Sequence, residues 1–205
     1  AYEIAPAVRD LGTGSLPRGH AKFVVSGNIR PGSTTWATVP VQYLKTRYFQ
    51  PIVDLERIPE RRREQATSPK IIVSGLTKRP TAFFDRSGEY LAGKSTVLLM
   101  ERRSGTQLDA VSAILNSELG ALIYLGLFGG LALAGGYLRF GPPQIATFPV
   151  PQDMKGLADS LRAGTNIEQA VCESYGVQTA DVHDAFIGAF GGTDDGIVEG
   201  DEDET

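Results

Sequence analysis

The chain is short of the residues that most metal and redox chemistry needs. Of its 205 residues only Cys172 is a cysteine, and only His20 and His183 are histidines. A single cysteine can form no disulfide within the chain and no cysteine zinc site, which suits a reducing, cytoplasmic setting. The two histidines lie far apart in sequence and share no metal-ligand spacing. No G-x-x-x-x-G-K-[ST] loop, G-x-S-x-G elbow or H-E-x-x-H pair occurs, so the sequence offers none of the familiar nucleotide, serine-hydrolase or zinc-protease signatures. Asp181, His183 and Asp184 lie close together, but on what reads as the polar face of a short helix. The chain opens "AYEIAPAVRD", with no methionine, no basic start and no apolar h-region. The expectation is a piece of a longer chain, with no signal peptide here.

Charge is also missing, in one place. "LGALIYLGLFGGLALAGGYL", residues 119–138, carries none. Its length is that of a membrane span, about 20 residues. Its composition argues otherwise. Gly120, Gly126, Gly129, Gly130, Gly135 and Gly136 fall within it, and an interior glycine costs an exposed helix roughly 1 kcal/mol. Gly126 and Gly130 form a G-x-x-x-G pair of the kind that lets membrane helices approach, but Glu118 and Arg139 flank the run without a basic cluster. Leu108, Val111, Ile114, Leu115, Leu119, Leu122 and Ile123 recur at three- and four-residue steps, which predicts a helix over 108–125. That helix carries Asp109, Asn116 and Glu118, which suits protein packing better than hydrocarbon. Residues 129–136 then read as a tight glycine-rich segment or a second buried piece, and no membrane contact is expected.

What is present is an uneven distribution of charge. The net charge is −4, yet residues 1–103 hold 17 bases and nine acids, and residues 104–193 three bases and eight acids. The last twelve residues, 194–205, hold seven acids and no base, which predicts a disordered, solvating tail. Basic surface is therefore confined to the first half, a mild footprint for a polyanion.

The coarse pattern is α+β. Residues 10–20 read as loop. Phe23–Val25 is a strand candidate ending in a Ser26-Gly27-Asn28 turn, and 38–49 fits strand or helix equally. "DLERIPERRREQATSP" reads as a charged connection. "KIIVSG" (70–75), "TAFFD" (81–85) and "STVLLM" (95–100) predict a small sheet. "FGPPQIATFPVP" (140–151) reads as extended. Helices are predicted over 154–163, 166–175 and 179–190, with Thr165 and Glu168 at capping-box spacing and Gly176 as a stop.

Basic residues in loops are the remaining candidates for chemistry. Lys78 and Arg79 sit between two predicted strands, Arg86 in a turn, and Arg139 between Tyr137 and Phe140 where the glycine segment ends. Arginine can make two hydrogen bonds to guanine, while lysine and backbone amides hold phosphates. Lys78, Arg79, Arg86 and Arg139, with Tyr137, are therefore base-edge or groove candidates, and Arg30, Lys45, Arg47 and Lys70 phosphate candidates. The ordinary alternative for these residues, and for Arg61, Arg62 and Arg63, is a solvated face.

The order of segments resembles a known family. "SPKIIVSGLTKRPTAFFDRSGEYLAGKSTVLLM", "LDAVSAILNSELGALIY" and "YLRFGPPQIATFPVP" together resemble the TaqI-like C-terminal specificity domain of type II restriction-modification enzymes and related adenine-specific DNA methyltransferases. The matching features are a P-K-I-x-V strand, an A-x-x-D turn, an "ILNS" helix and the closing "FPVP". "FVVSGNI" upstream and "IEQAVCESYGVQTADV" downstream look like the flanks of the same region, so the likeness spans roughly 22–190. It implies a domain that selects double-stranded DNA sequence for an adjoining S-adenosylmethionine-dependent methyltransferase domain, which flips the target adenine and methylates it. "GPPQ" at 141–144 lacks the asparagine and aromatic of an N-P-P-Y motif, so the chain itself is expected to be non-catalytic and to hold no cofactor. The organisation expected is a DNA target-recognition domain over 1–150 with a packed central helix, a helical appendage over 151–193 and the acidic tail. The acidic second half argues against DNA contacts from 150–205. The competing readings are a protein-interaction domain docking on a methyltransferase partner without touching DNA and, more remotely, a membrane-anchored protein.

Overall fold

In the computed structural model, residues 2–93, 95–101 and 107–191 are described. The predicted tail lies outside them. The fold is α+β, as the pattern predicted, and its organising element is the strand Lys70–Ser74. Ala82–Asp85 and Thr96–Met100 pair with it on either side, both antiparallel. All five residues of the central strand are buried, because both faces of this small sheet are covered. Ile71 and Val73 join Leu108, Leu115, Tyr124, Leu138 and Phe140 in one core on the helical side. Ile72 points the other way, to Val24, Ile29 and Ala92. A strand covered on both faces reads as a continuous apolar run, not an alternating one.

A four-stranded sheet stands on that other side, in the order Val8–Asp10, Pro51–Asp54, His20–Val24, Tyr90–Ala92. Its last pair is parallel and the others antiparallel. Phe23, Val53 and Leu91 centre its core. The undecided stretch 38–49 contains a hairpin, Val41–Tyr43 with Thr46–Tyr48, turning through Leu44 and Lys45 at positive φ. Tyr43 packs edge-on against Phe23, with ring centres 4.8 Å apart.

Helix α1, Glu60–Thr67, corrects the expected charged connection. Ala66 is its one buried residue, so no apolar stripe marks it in the sequence. Polar bonds hold it in place. Arg62 donates to the Ala92 carbonyl and the Gln65 side chain, and Arg63 Nε donates to the Leu55 carbonyl at 2.9 Å.

The predicted helix over 108–125 is two helices, α2 (Leu108–Asn116) and α3 (Glu118–Phe128), with Ser117 extended between them. The "NS" of "ILNS" explains the break. Asn116 clamps the backbone of Ala82, accepting from its N–H at 2.8 Å and donating to its carbonyl at 2.9 Å. Ser117 Oγ accepts from the Gly120 N–H at 3.0 Å and so caps α3. A Cβ at Gly120 would collide with the Ile114 carbonyl, so only glycine lets α3 start this close to the end of α2. Among the described residues no single helix is long and apolar enough to cross a membrane. Leu108–Asn116 and Glu118–Leu131 would do so only as a pair bent by 73°.

Pro142–Ala146 forms a short helix, α4, where an extended segment was expected. Proline at the first helical positions lacks only an N–H that would be unpaired anyway. Helices α5 (Met154–Arg162), α6 (Ile167–Tyr175) and α7 (Thr179–Phe190) fall close to prediction. The cap of α6 is Asn166, not Thr165: its Oδ1 accepts from the Glu168 and Gln169 N–H groups. α2 shares one core with α5 and α6 through Ile114, Leu157 and Val171.

Candidate nucleic-acid interface

The central strand has two ends, and the candidate residues divide between them. At the Lys70 end the chemistry is closed. Lys70 is 0% exposed. Its ammonium pairs with Asp85 and donates to the Ala66 and Ser68 carbonyls. Asp85 in turn accepts from the Glu89 and Tyr90 N–H groups. Burial pulls the Lys70 ammonium below its ordinary value, and the bond to Asp85 opposes that fall. Lys70 therefore cannot be a phosphate contact. The lysine of P-K-I-x-V and the aspartate of A-x-x-D are instead one buried pair that pins two strands together. Arg86 follows Asp85 at this end, exposed, with its guanidinium 4.4 Å from the centre of the Phe84 ring.

At the other end the strand runs through Gly75 into Leu76–Thr77, which pairs antiparallel with Leu138–Arg139. The register sets Thr77 opposite Leu138 and Leu76 opposite Arg139. This two-residue ladder joins segments far apart in sequence and gathers the candidates. Lys78 Nζ lies 5.9 Å from the centre of the Tyr137 ring. Arg139 is exposed, while Leu138 and Phe140 on either side of it are buried. Its carbonyl accepts from the Tyr124 hydroxyl at 2.6 Å, and burial pushes that phenol up to about 12. The backbone of Arg139 is thus fixed from inside while its side chain stands at the surface. Beside it is a shallow cavity of about 100 Å³ lined by Phe128, Leu131, Leu138, Arg139 and Gln144.

The remaining candidates fall elsewhere. Arg79, next to Lys78, turns to the helices, with its guanidinium 5.5 Å from the centre of the Phe186 ring on α7. Near it Glu168 accepts from the Glu118 N–H at 3.0 Å, and the Glu118 carboxylate meets His183 Nδ1 at 3.0 Å. Burial raises the Glu168 carboxyl, and the bond from the Glu118 N–H and then the Arg79 charge oppose the rise. His183, read as a residue of a polar face, is part of this contact between α3, α6 and α7. Arg30 is half-buried and donates to the Gly27 and Ile29 carbonyls at 2.9 and 3.0 Å, and burial lowers its ordinary value. Its turn stays near the sheet through the Gly32 N–H, bonded to the Ala82 carbonyl at 2.9 Å. Lys45 and Arg47 are exposed on the hairpin beside the four-stranded sheet. Arg62 is half-buried and tied to the Ala92 carbonyl, while Arg61 and Arg63 are exposed, Arg63 with a bond to the Leu55 carbonyl.

Sequence reading missed Gln144 and Leu131. Gln144 lies in a segment read as extended, and only the one-turn helix α4 brings it to Arg139. Leu131 falls in the stretch 129–136, read as a tight glycine-rich segment or a second buried piece, and it is exposed. Among the described residues no group of three or more His, Cys, Asp or Glu side chains is placed to hold a metal ion. No family model matches the chain, and no curated protein matches it.

Proposed function

We propose that this chain is a sequence-selective double-stranded DNA recognition module and that the surface at the Arg139 end of the central strand is its reading edge. The observation that carries the reading is the ladder of Leu76–Thr77 with Leu138–Arg139. It brings Lys78, Tyr137 and Arg139 together, and Gln144 on α4 lines the cavity beside Arg139. Arginine suits a bidentate contact with a guanine edge and glutamine one with an adenine edge, and a lysine beside them suits a phosphate. Between Glu118 and Asp153 the only charged residue is Arg139, so no carboxylate from this stretch repels a duplex. Lys45 and Arg47 are left as outlying phosphate contacts. Arg79 anchors the loop to α7, and Arg86 lies outside the edge.

In this proposal the module is non-catalytic and serves a restriction-modification or phage-defence methyltransferase in the cytoplasm. S-adenosylmethionine and the methyl transfer belong to an adjoining catalytic domain. The order of motifs described above supports that setting. The test is site selection from a random duplex library by the parent enzyme, wild type against Arg139→Ala. Relaxed preference at defined positions supports reading, and unchanged preference contradicts it. A second reading, docking on a methyltransferase partner without DNA contact, is favoured by one observation: Leu127, Leu131 and Leu133 are exposed beside the same edge. Partner capture that survives Lys78→Ala/Arg139→Ala, with no duplex binding, would favour it.

A further inference from the structure

The most exposed large apolar side chain among the described residues is Leu131, at 66%. It belongs to a compact prong over residues 129–137. Two single-turn 3₁₀ segments, Gly129–Leu131 and Ala134–Gly136, are closed by bonds from the Ala132 N–H to the Gly129 carbonyl and from the Gly136 N–H to the Leu133 carbonyl. The Leu133 N–H reaches the Tyr137 carbonyl at 2.7 Å. Gly135 and Gly136 both take left-handed backbone, φ 77° and 78°, which a residue with a Cβ rarely adopts. The prong is rooted by Leu138 and Phe140 in the core and by the Tyr124 bond to Arg139. Its apolar tip is therefore held outward by a hydrogen-bonded frame, where burial would have been the cheaper outcome.

We infer that this prong is a wedge that enters a DNA groove, with Leu131 and Leu133 pressing between base pairs. The inference rests on the DNA-reading proposal above and adds a distinct action to it. Proteins that kink a duplex insert apolar side chains between base steps, flanked by cations that hold the phosphates. The prong has that layout. Arg139 shares a cavity wall with Leu131, Lys78 lies over Tyr137 at its base, and no carboxylate occurs anywhere in residues 119–152. A lipid surface would also accept an apolar tip between cations. It would make no use of the Gln144 amide in the same cavity, whereas a base edge offers that amide both donors and acceptors.

The test uses the full chain and two duplexes of about 30 base pairs, one intact and one with a single abasic site, where part of the unstacking cost is already met. Wild type should bind the abasic duplex about tenfold more tightly than the intact one. The Leu131→Ala/Leu133→Ala variant should lose that preference and bind both duplexes alike, its unfolding midpoint unchanged because both side chains are exposed. A preference that survives in the variant, or is absent from wild type, overturns the wedge and leaves DNA reading in place. Failure of wild type to bind either duplex overturns both. Binding to phosphatidylglycerol vesicles that the variant loses, with neither duplex bound, reassigns the prong to a lipid surface and overturns both.

Discussion

Lys70 opens the central strand, Arg139 lies in the two-residue ladder beyond its other end, and the protein treats their charges in opposite ways. At the Lys70 end each charged group in the interior has a partner: ammonium to carboxylate, carboxylate to two backbone N–H groups, remaining ammonium donors to two carbonyls. At the Arg139 end the backbone is bonded and the Arg139 side chain is exposed, as are Leu131 and Leu133. One end closes the fold and the other offers a surface. Residue type alone does not separate these roles, since both ends are basic, strand-linked and rich in neighbouring aromatics. Burial separates them: Lys70 is fully buried and Arg139 is exposed.

The largest expected effect belongs to the closed end. Lys70→Met removes one member of a buried pair and leaves the Asp85 charge uncompensated, which should cost about 3–5 kcal/mol of stability. Chemical denaturation measures it, and a loss under 1 kcal/mol, a value at the level of an exposed pair, would break the contrast between the ends. The open end should respond in recognition and not in stability. On the proposed reading, Arg139→Ala should reduce base discrimination by about 1–3 kcal/mol while the unfolding midpoint hardly moves. Ser117→Ala should cost about 1 kcal/mol through the lost α3 cap, with a lower denaturation midpoint and unchanged DNA preference. The smallest effect concerns the helical contact that holds Arg79. The Glu168 carboxyl is raised by burial above its ordinary 4.5, so its ionised form is disfavoured in the folded state. That cost is absent below pH 4.5 and grows as pH climbs through the raised value. Glu168→Gln should therefore unfold at slightly higher temperature than wild type at neutral pH, with the gap closing in acid. A variant less stable than wild type at neutral pH would show that the Glu118 N–H bond and the Arg79 charge outweigh burial.

Much of the scaffold was legible in the sequence. "KIIVSG", "TAFFD" and "STVLLM" are the three strands of the small sheet, and α5, α6 and α7 fall within a residue or two of prediction. These segments carry strong local signals, apolar β-branched runs in one case and caps with periodic apolar faces in the other. α1 was hidden because its stability comes from Arg62 and Arg63 reaching distant carbonyls, which leaves no periodicity. The α2–α3 bend was hidden because the apolar repeat runs straight across it, while the cause, the Asn116 clamp on Ala82, is a contact between residues 34 positions apart. The site was less legible than the scaffold. Lys78, Tyr137 and Arg139 were singled out one at a time, but Lys70 was grouped with them because sequence shows a charge and not its burial. Gln144 was passed over because neutral amides carry no signal until a fold sets them beside an arginine. The motifs that looked like a recognition signature, P-K-I-x-V, A-x-x-D and "ILNS", turn out to hold structural bonds.

The contrast between the two ends is tested most directly by the salt dependence of duplex binding to the full chain. Each phosphate contact contributes a slope of about −0.9 in log K against log salt. Lys78→Ala/Arg139→Ala at the open end should lower affinity about tenfold or more at low salt and flatten the slope by about one to two. Arg86→Ala at the closed end should leave affinity and slope at wild-type values. Equal losses from the two variants, or a wild-type chain that binds no duplex at low salt, would contradict the assignment of the Arg139 end as the reading edge.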